Sequence, residues 1–585
     1  MTTSIVDADS MLAIEVGSTT TRAMLFDVVD GRYRYLAGGD APSTHVAPFF
    51  DIREGVQAAI EKVQSITGRL LIGSNEQLIV PSQRDGSGVD TVTATMSIGP
   101  VINVMVMGLL DDVSLESAKN LAQTTYCQVL DSISLNDRLD TQARINKIVK
   151  LKPDLIIVAG GTEEGASQSV LRLLEAIGLA VFLMPKEKRP EILYVGNSEL
   201  WEEVKINLEN ITSVSFSANV RPTLDAEQLD ASRIQLARMY TKICAGRTAG
   251  VTDLDMMAKG SLLPSSSAFG RIIQFLSKAH RNKKGVLGID LSTSAITLAG
   301  ALDGDLLPGV YPEFGFVNGL SLLQDQDNLD EIRRWLISDQ SEEQVRNYLA
   351  NKFLFPASIP VTPADLEIDL AVLRVLLRRA LASFLNRWPE VIHVSGETLM
   401  APVEPIILTG DLINKFPGPA YSALVILDGL QPTGVTTLIE DQNRIATSLG
   451  AAAMLNPMLT VQVLDTSSFL HLGTIISPVG NARPGTPVLK LRITYPNGHE
   501  SVLEVKQGAL ETLPLPVGQS AKIQLQPLHR YDVGMGAAGR GGSIKVTGGT
   551  LGVIIDARGR PFHYPADQNR RRELVRKWVW TLGGR

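Results

Sequence analysis

Cysteine is nearly absent from this 585-residue chain: Cys127 and Cys244 are its only two. That excludes a disulfide-stapled scaffold and a zinc site built on thiolates, and it fits a reducing compartment. Long apolar runs are missing as well. The one worth testing, Val101 to Leu110, stops at ten residues, far short of the roughly 20 that span a bilayer. Basic residues are missing before Arg22, where Asp7 and Asp9 stand instead, so the start does not read as a secretory leader. These absences predict a cytoplasmic protein with no transmembrane segment. The chain also has no Gly-x-Ser-x-Gly elbow, no Gly-Lys-Ser/Thr phosphate loop and no basic face studded with aromatics. A hydrolase elbow, a Walker-type site and nucleic-acid binding are therefore not expected.

What is present is ordinary globular composition, 44% hydrophobic and 20% charged, which excludes global disorder. At roughly 150 residues per unit, the length predicts about four domain-sized pieces. The net charge of −7 is unevenly shared. From Pro457 onward there are 16 Lys/Arg against 8 Asp/Glu, which leaves the first 456 residues at −15. The texture changes at the same place. Before it, short apolar strands (Met11 to Asp27, Leu155 to Ala159) alternate with helical stretches such as Ser167 to Leu179. After it come strand-like segments at Val461–Leu464, Val488–Thr494, Ser501–Val505, Ala521–Leu525 and Leu551–Ile555, with an Asn497-Gly498 turn. This half reads as a β-barrel or sandwich, with Gly-rich 531–549 either a mobile loop or a join between strands. The end reads as a helix from Ala566 to about Leu582, crowded with Arg570, Arg571, Arg572, Arg576 and Lys577 beside Trp578 and Trp580. Such a helix either docks on an acidic partner or anionic surface, or packs its tryptophans on the β-domain and leaves its arginines solvated.

The segment with the most chemistry is Ile14-Glu15-Val16-Gly17-Ser18-Thr19-Thr20-Thr21-Arg22. An acid near a strand end, then a glycine and four hydroxyls, offers N–H and O–H donors to phosphate oxygens. An ordinary hairpin whose Ser and Thr satisfy their own backbone has the same pattern. Gly288-Ile289-Asp290-Leu291-Ser292-Thr293-Ser294 repeats the outline, and Ile407-Leu408-Thr409-Gly410-Asp411 is a strand entering a turn. Seven scattered histidines lack metal-ligand spacing. Gly160-Gly161-Thr162-Glu163-Glu164-Gly165 joins a strand to a helix, but two adjacent glutamates argue against a phosphate, so it reads as a structural turn first and, as the alternative, as one facing a partner or the cleft. Asp85 and Asp90 carry no role readable from position, and Asp556-Ala557-Arg558-Gly559-Arg560 reads as a turn with an internal ion pair.

Three such elements in order resemble the actin, sugar kinase and heat-shock chaperone ATPase superfamily. Within it, the chain resembles the glutamate mutase accessory proteins of the MutL type. The resemblance rests on Glu15–Thr21, Val158–Gly165, Tyr194–Asn197, Ser217–Pro222, Leu263–Ala268, Leu430–Thr436 and Leu449-Gly450. It implies an α/β fold of two actin-like, ribonuclease H-like lobes, 11–285 with an insertion and 286–456, then a β-domain at 457–565 and a basic helix at 566–585. It further implies ATP held by Glu15, Gly17, Ser18, Thr19, Thr20, Thr21, Asp290, Ser292, Thr293, Thr409, Gly410 and Asp411, with Glu15 and Asp290 holding Mg²⁺.

Departures from the family pattern set limits. Ser292-Thr293 stands where relatives carry Gly-Gly, Thr297 stands where they carry Asp, and Asp411 stands where they carry a second Gly. Extra Cβ atoms and a misplaced carboxylate crowd a phosphate, so hydrolysis is not expected. The expected role is accessory: a nucleotide-dependent chaperone or reactivating factor for an adenosylcobalamin-dependent mutase, at most a weak ATPase and not itself a mutase. The expected partners are that mutase and a second copy of the chain. The competing reading is a non-hydrolysing actin-like scaffold for protein–protein assembly of the division or pilus type.

Overall fold

A computed structural model describes residues 9–280 and 284–584; Asp7, the His280 side chain and Arg585 lie outside them. The first sheet begins with β1 (Met11–Val16), β2 (Thr20–Val29) and β3 (Arg32–Pro42), paired antiparallel in sequence, and β4 (Thr91–Met96) runs parallel to β1. The chain then leaves this sheet for a five-stranded, all-parallel one: β5 (Ile102–Met107), β6 (Cys127–Ile133), β7 (Leu155–Val158), β8 (Glu191–Tyr194) and β9 (Val214–Phe216), in the order β6-β5-β7-β8-β9. Burial on both faces explains why β7 is an unbroken Leu-Ile-Ile-Val run. Glu163 ties the loops after β7, β8 and β9 together, accepting from Ser198 Oγ at 2.6 Å and Asn219 Nδ2 at 2.8 Å. Both cysteines are buried free thiols. The chain returns as β10 (Leu263–Pro264), parallel to β4, so the first sheet reads β10-β4-β1-β2-β3.

The second lobe repeats that wiring. β11 (Val286–Leu291), β12 (Ile296–Leu302) and β13 (Asp305–Tyr311) are antiparallel neighbours. After a small hairpin, β14 (Val391–Val394) and β15 (Glu397–Met400), the strands β16 (Ile406–Thr409) and β17 (Gly434–Glu440) add in parallel beside β11. Equal strand order and direction in both lobes is the two-lobed actin-like fold. The helices Ser265–His280 and Ala446–Ala452 follow the last strand of each lobe and pack on each other. Gly450 permits this, because a Cβ there would stand 1.9 Å from the Ala268 carbonyl oxygen.

The segment beyond 457 divides between two sheets. β18 (Leu470–Ser477), β21 (Leu510–Leu513) and β24 (Val553–Asp556) prolong the second lobe's sheet beyond β17 in the order β17-β18-β24-β21. β19 (Pro487–Thr494), β20 (Glu500–Lys506), β22 (Ser520–Pro527) and β23 (Gly542–Thr547) form a separate antiparallel sheet. One core, including Val435, Ile476, Leu491, Ile523 and Ile555, joins the two. Of the Gly-rich stretch 531–549, the part up to 541 links β22 to β23 and the rest holds β23 itself, and Gly539 N–H donates to Tyr531 O at 2.8 Å within the link.

Val461–Leu464 corrects a sequence expectation: it is not a strand but the end of a helix, Pro457–Leu464. The Asn456 side chain accepts from Leu459 N–H at 3.0 Å and Pro457 opens the first turn, a start signal that outweighs β-branched content. The terminal helix is Gln568–Thr581. Its Val575, Trp578 and Val579 enter the second lobe's core rather than packing on the small sheet, and Trp580 stays 71% exposed.

Because the Gly450–Ala268 approach has no slack, Gly450→Ala should cost about 1–3 kcal/mol of stability by overpacking. Urea unfolding of the variant against wild type checks this, and an unchanged midpoint would show that the two helices can separate freely.

Candidate functional site

The hairpin registers place the two acids in equivalent positions. Glu15 is the penultimate residue of β1 and lies opposite Arg22; Asp290 is the penultimate residue of β11 and lies opposite Thr297. Both strand ends open on a cavity of about 40 Å³ between the lobes. The first hairpin contributes Glu15, Gly17, Ser18 and Thr20 to its walls, the second Asp290 and Ser292, and the β16 turn Thr409, Gly410 and Asp411. Thr19 and Thr293 reach the site through Asp411. Thr21 does not: it is fully buried, with Oγ1 3.3 Å from Ser43 Oγ.

Asp411 is the hub. Its Oδ2 accepts from Thr19 Oγ1 at 2.9 Å and from Thr293 Oγ1 at 2.5 Å, and its Oδ1 accepts from Thr293 N–H at 2.8 Å. One carboxylate thus takes donors from both hairpins, the positions and donor types that a phosphate would use. The preceding residue must be glycine: Gly410 has φ +127°, and a Cβ there would lie 2.2 Å from the Leu291 carbonyl oxygen. Gly17 is demanded by its own turn, where its N–H donates to Thr20 O at 3.0 Å and a Cβ would meet that oxygen at 2.9 Å.

Residues that the motifs did not single out complete the site. Arg22 pairs with Asp40 at 2.5 Å and donates from Nη1 to the carbonyls of Asn443 and Arg444 at 2.9 and 3.1 Å, crossing between lobes. Arg444 returns the contact, pairing with Asp40 at 2.5 Å. Asp441 is buried and caps the Ala446–Ala452 helix, accepting from Ile445 N–H at 3.0 Å, Ala446 N–H at 2.8 Å and Thr409 Oγ1 at 3.1 Å. Arg22 stood in the hairpin motif itself; Asp441 and Arg444 had only their position just after β17 to mark them.

Electrostatics set the protonation. Burial pushes Glu15 up to about 7, against the pull of Arg22 and Arg444, with Asp441 and Asp411 adding to the rise. Burial likewise raises Asp290 to about 7, opposed by the Ser292 hydroxyl that donates to it and reinforced by Glu15, Asp411 and Asp441. Burial also raises Asp441, despite the amides it accepts from.

A nucleoside triphosphate does not fit a space with room for a water or two. The donors suit phosphate chemistry, but those of Thr19 and Thr293 are already given to Asp411. The Glu15 charge adds to the rise of Asp290, and among the described residues no group of three or more His, Cys, Asp or Glu gathers as a metal cage. Away from the cleft, Asp90 accepts from Ser10 N–H and Oγ at 2.8 Å, which is a strut.

A family model described as MutL protein matches residues 11–468. No curated protein matches the chain. Similar solved structures include a nucleotide-free acetone carboxylase, 13% identical, covering 86% of this chain and 82% of its own, with TM-score 0.30. Another is component A of the Acidaminococcus fermentans (R)-2-hydroxyglutaryl-CoA dehydratase, 10% identical, covering 78% and 100%, TM-score 0.27. A third is the activator of the 2-hydroxyisocaproyl-CoA dehydratase from Clostridium difficile with bound ADPNP, 9% identical, covering 76% and 93%, TM-score 0.27.

Glu15 and Asp290 keep their protons up to about pH 7 when folded but release them near 4.5 and 3.8 when unfolded. Through that window the folded state binds more protons, so their contribution to stability is full at low pH and is lost as pH rises through about 7. Glu15→Gln should flatten the decline. Urea midpoints across the window check this, and equal slopes in variant and wild type would remove Glu15 from the titrating pair.

Proposed function

The chain belongs to the MutL family, and we propose that it is an actin-like accessory protein whose nucleotide site is gated by Asp411. The observation that carries this reading is the Asp411 carboxylate, which takes donors from both hairpins beside a cavity of only about 40 Å³. In this reading Glu15, Gly17, Ser18, Thr19, Thr20, Asp290, Ser292, Thr293, Thr409 and Gly410 hold ATP once the carboxylate swings out. Thr21 supports the hairpin from behind, and Glu15 with Asp290 takes the hydrated Mg²⁺. Metal binding then requires both acids to lose protons that burial holds to about pH 7, so a cation and the open state favour each other.

The partner in this proposal is an adenosylcobalamin-dependent mutase in the cytoplasm, remodelled or reactivated as the lobes open and close, with this protein acting as a homodimer. The domain division proposed is two lobes at 11–285 and 286–456, followed by the β-rich segment and the basic helix. A second reading, a non-hydrolysing scaffold for protein assembly, is favoured by the same closed cleft, since a site plugged by its own side chain needs no ligand to be ordered.

Calorimetry with Mg-ATP separates the two. Weak binding is expected for wild type, tightening by about tenfold or more, about 1.4 kcal/mol, in Asp411→Ala. Gly17→Val should abolish it, and a phosphate-release assay should show little turnover in either. Affinity no greater in Asp411→Ala than in wild type would sink the gate. If an inactivated mutase recovers no faster with this protein and Mg-ATP present, the scaffold reading stands instead.

A further inference from the structure

A second cavity, of about 440 Å³, shares no residue with the cleft and lies at the seam between the second lobe and the C-terminal segment. Arg334, Trp335 and Arg374 form one wall, and Phe562, Tyr564 and Arg571 another. Glu331, paired with Arg379, and Asp428 also line it, and from Asp428 a buried charge network runs behind the walls. Asp428 accepts from Arg374 Nε at 2.7 Å and faces Arg558 Nη1 at 2.7 Å. Asp556 pairs with Arg558 at 2.8 Å and with Arg560 at 2.6 Å. The side chains of these three arginines and two aspartates are at most 4% exposed, so the network holds one positive charge that no carboxylate within it answers.

That excess has an outlet. Arg374 lines the cavity, and among the described residues only its Nε is hydrogen-bonded, leaving both terminal nitrogens without a partner. Its guanidinium lies over the Trp335 ring, 4.8 Å from the ring centre. Tyr564 stands edge-on to Trp335 at 4.6 Å, and its buried hydroxyl has no partner. Arg334 reaches the same wall and, among the described residues, forms no ion pair. A planar fork with free donors, backed by a buried positive excess, is what a carboxylate or phosphate oxygen pair requires.

We infer that this seam pocket binds a small oxyanion, a carboxylate or phosphate group on a compact organic molecule, held by Arg374 and Arg334 with Trp335 and Tyr564 walling its remainder. The volume suits a small molecule, and the inference is independent of nucleotide binding in the cleft. The C-terminal segment, half of the pocket, then serves ligand recognition as well as support.

Calorimetric titration of the full chain with inorganic pyrophosphate and, separately, with citrate tests this and tells phosphate from carboxylate preference. At least one probe should bind at submillimolar concentration. Arg334→Ala, at an exposed position, should weaken that binding about tenfold or more, as should Arg374→Lys, which keeps a cation beside Asp428 but loses the fork. Gly17→Val, in the other cleft, should leave it unchanged. No binding of either probe at about 10 mM, equal affinity in Arg334→Ala and wild type, or loss of binding in Gly17→Val would each overturn the inference.

Discussion

The carboxylate of Asp411 ties the two hairpins of the cleft together. Thr19 of the first hairpin and Thr293 of the second both donate to it, so the lobes close on an anion carried by the protein itself. The other contacts across the cleft follow from that approach: Arg22 to the carbonyls of residues 443 and 444, and Arg444 back to Asp40. Burial in the cleft keeps water from Glu15 and Asp290, which is the physical reason that both hold protons near neutrality.

A different electrostatic device fixes the C-terminal segment. Asp556, Arg558 and Arg560 are wholly buried and share charge with Asp428 and Arg374 of the second lobe. Although burial alone would raise Asp556, the two guanidiniums hold its carboxyl well below the usual range. Such a network adds little net stability against apolar packing, but it is unforgiving of a missing partner. It ties the tail to the lobe through Arg558 on Asp428. Trp578, over whose ring the Arg558 guanidinium sits at 4.6 Å, adds the apolar half of that tie.

Local signals were legible in the sequence and distant ones were not. Two hairpins with an acid, a Gly or hydroxyl turn and flanking apolar strands announce themselves within fifteen residues, and Glu15 and Asp290 indeed occupy matching places. Thr21 looked equivalent to its hydroxyl neighbours, but strand alternation turns it to the far side, toward Ser43. Arg444 and the carbonyl at 443 belong to the site through contacts some four hundred residues apart in the chain, for which no local pattern exists; Asp441 enters through its helix cap and Thr409. The ion pair within 556–560 was readable, but its continuation to Asp428 was not. At Val461–Leu464 the apolar, β-branched residues concealed a helix that Asn456-Pro457 had already signalled.

The weaving of β18, β24 and β21 into the second lobe's sheet bears on any shorter version of this protein. A chain cut at residue 468, where the family match ends, would lose β18 and leave β17 with a bare row of amides and carbonyls along one side. An exposed edge of Val, Thr, Leu and Ile residues invites pairing with other chains. The tail thus acts as the sheet's selvage: without it, the fabric of the second lobe has a side on which aggregation can start.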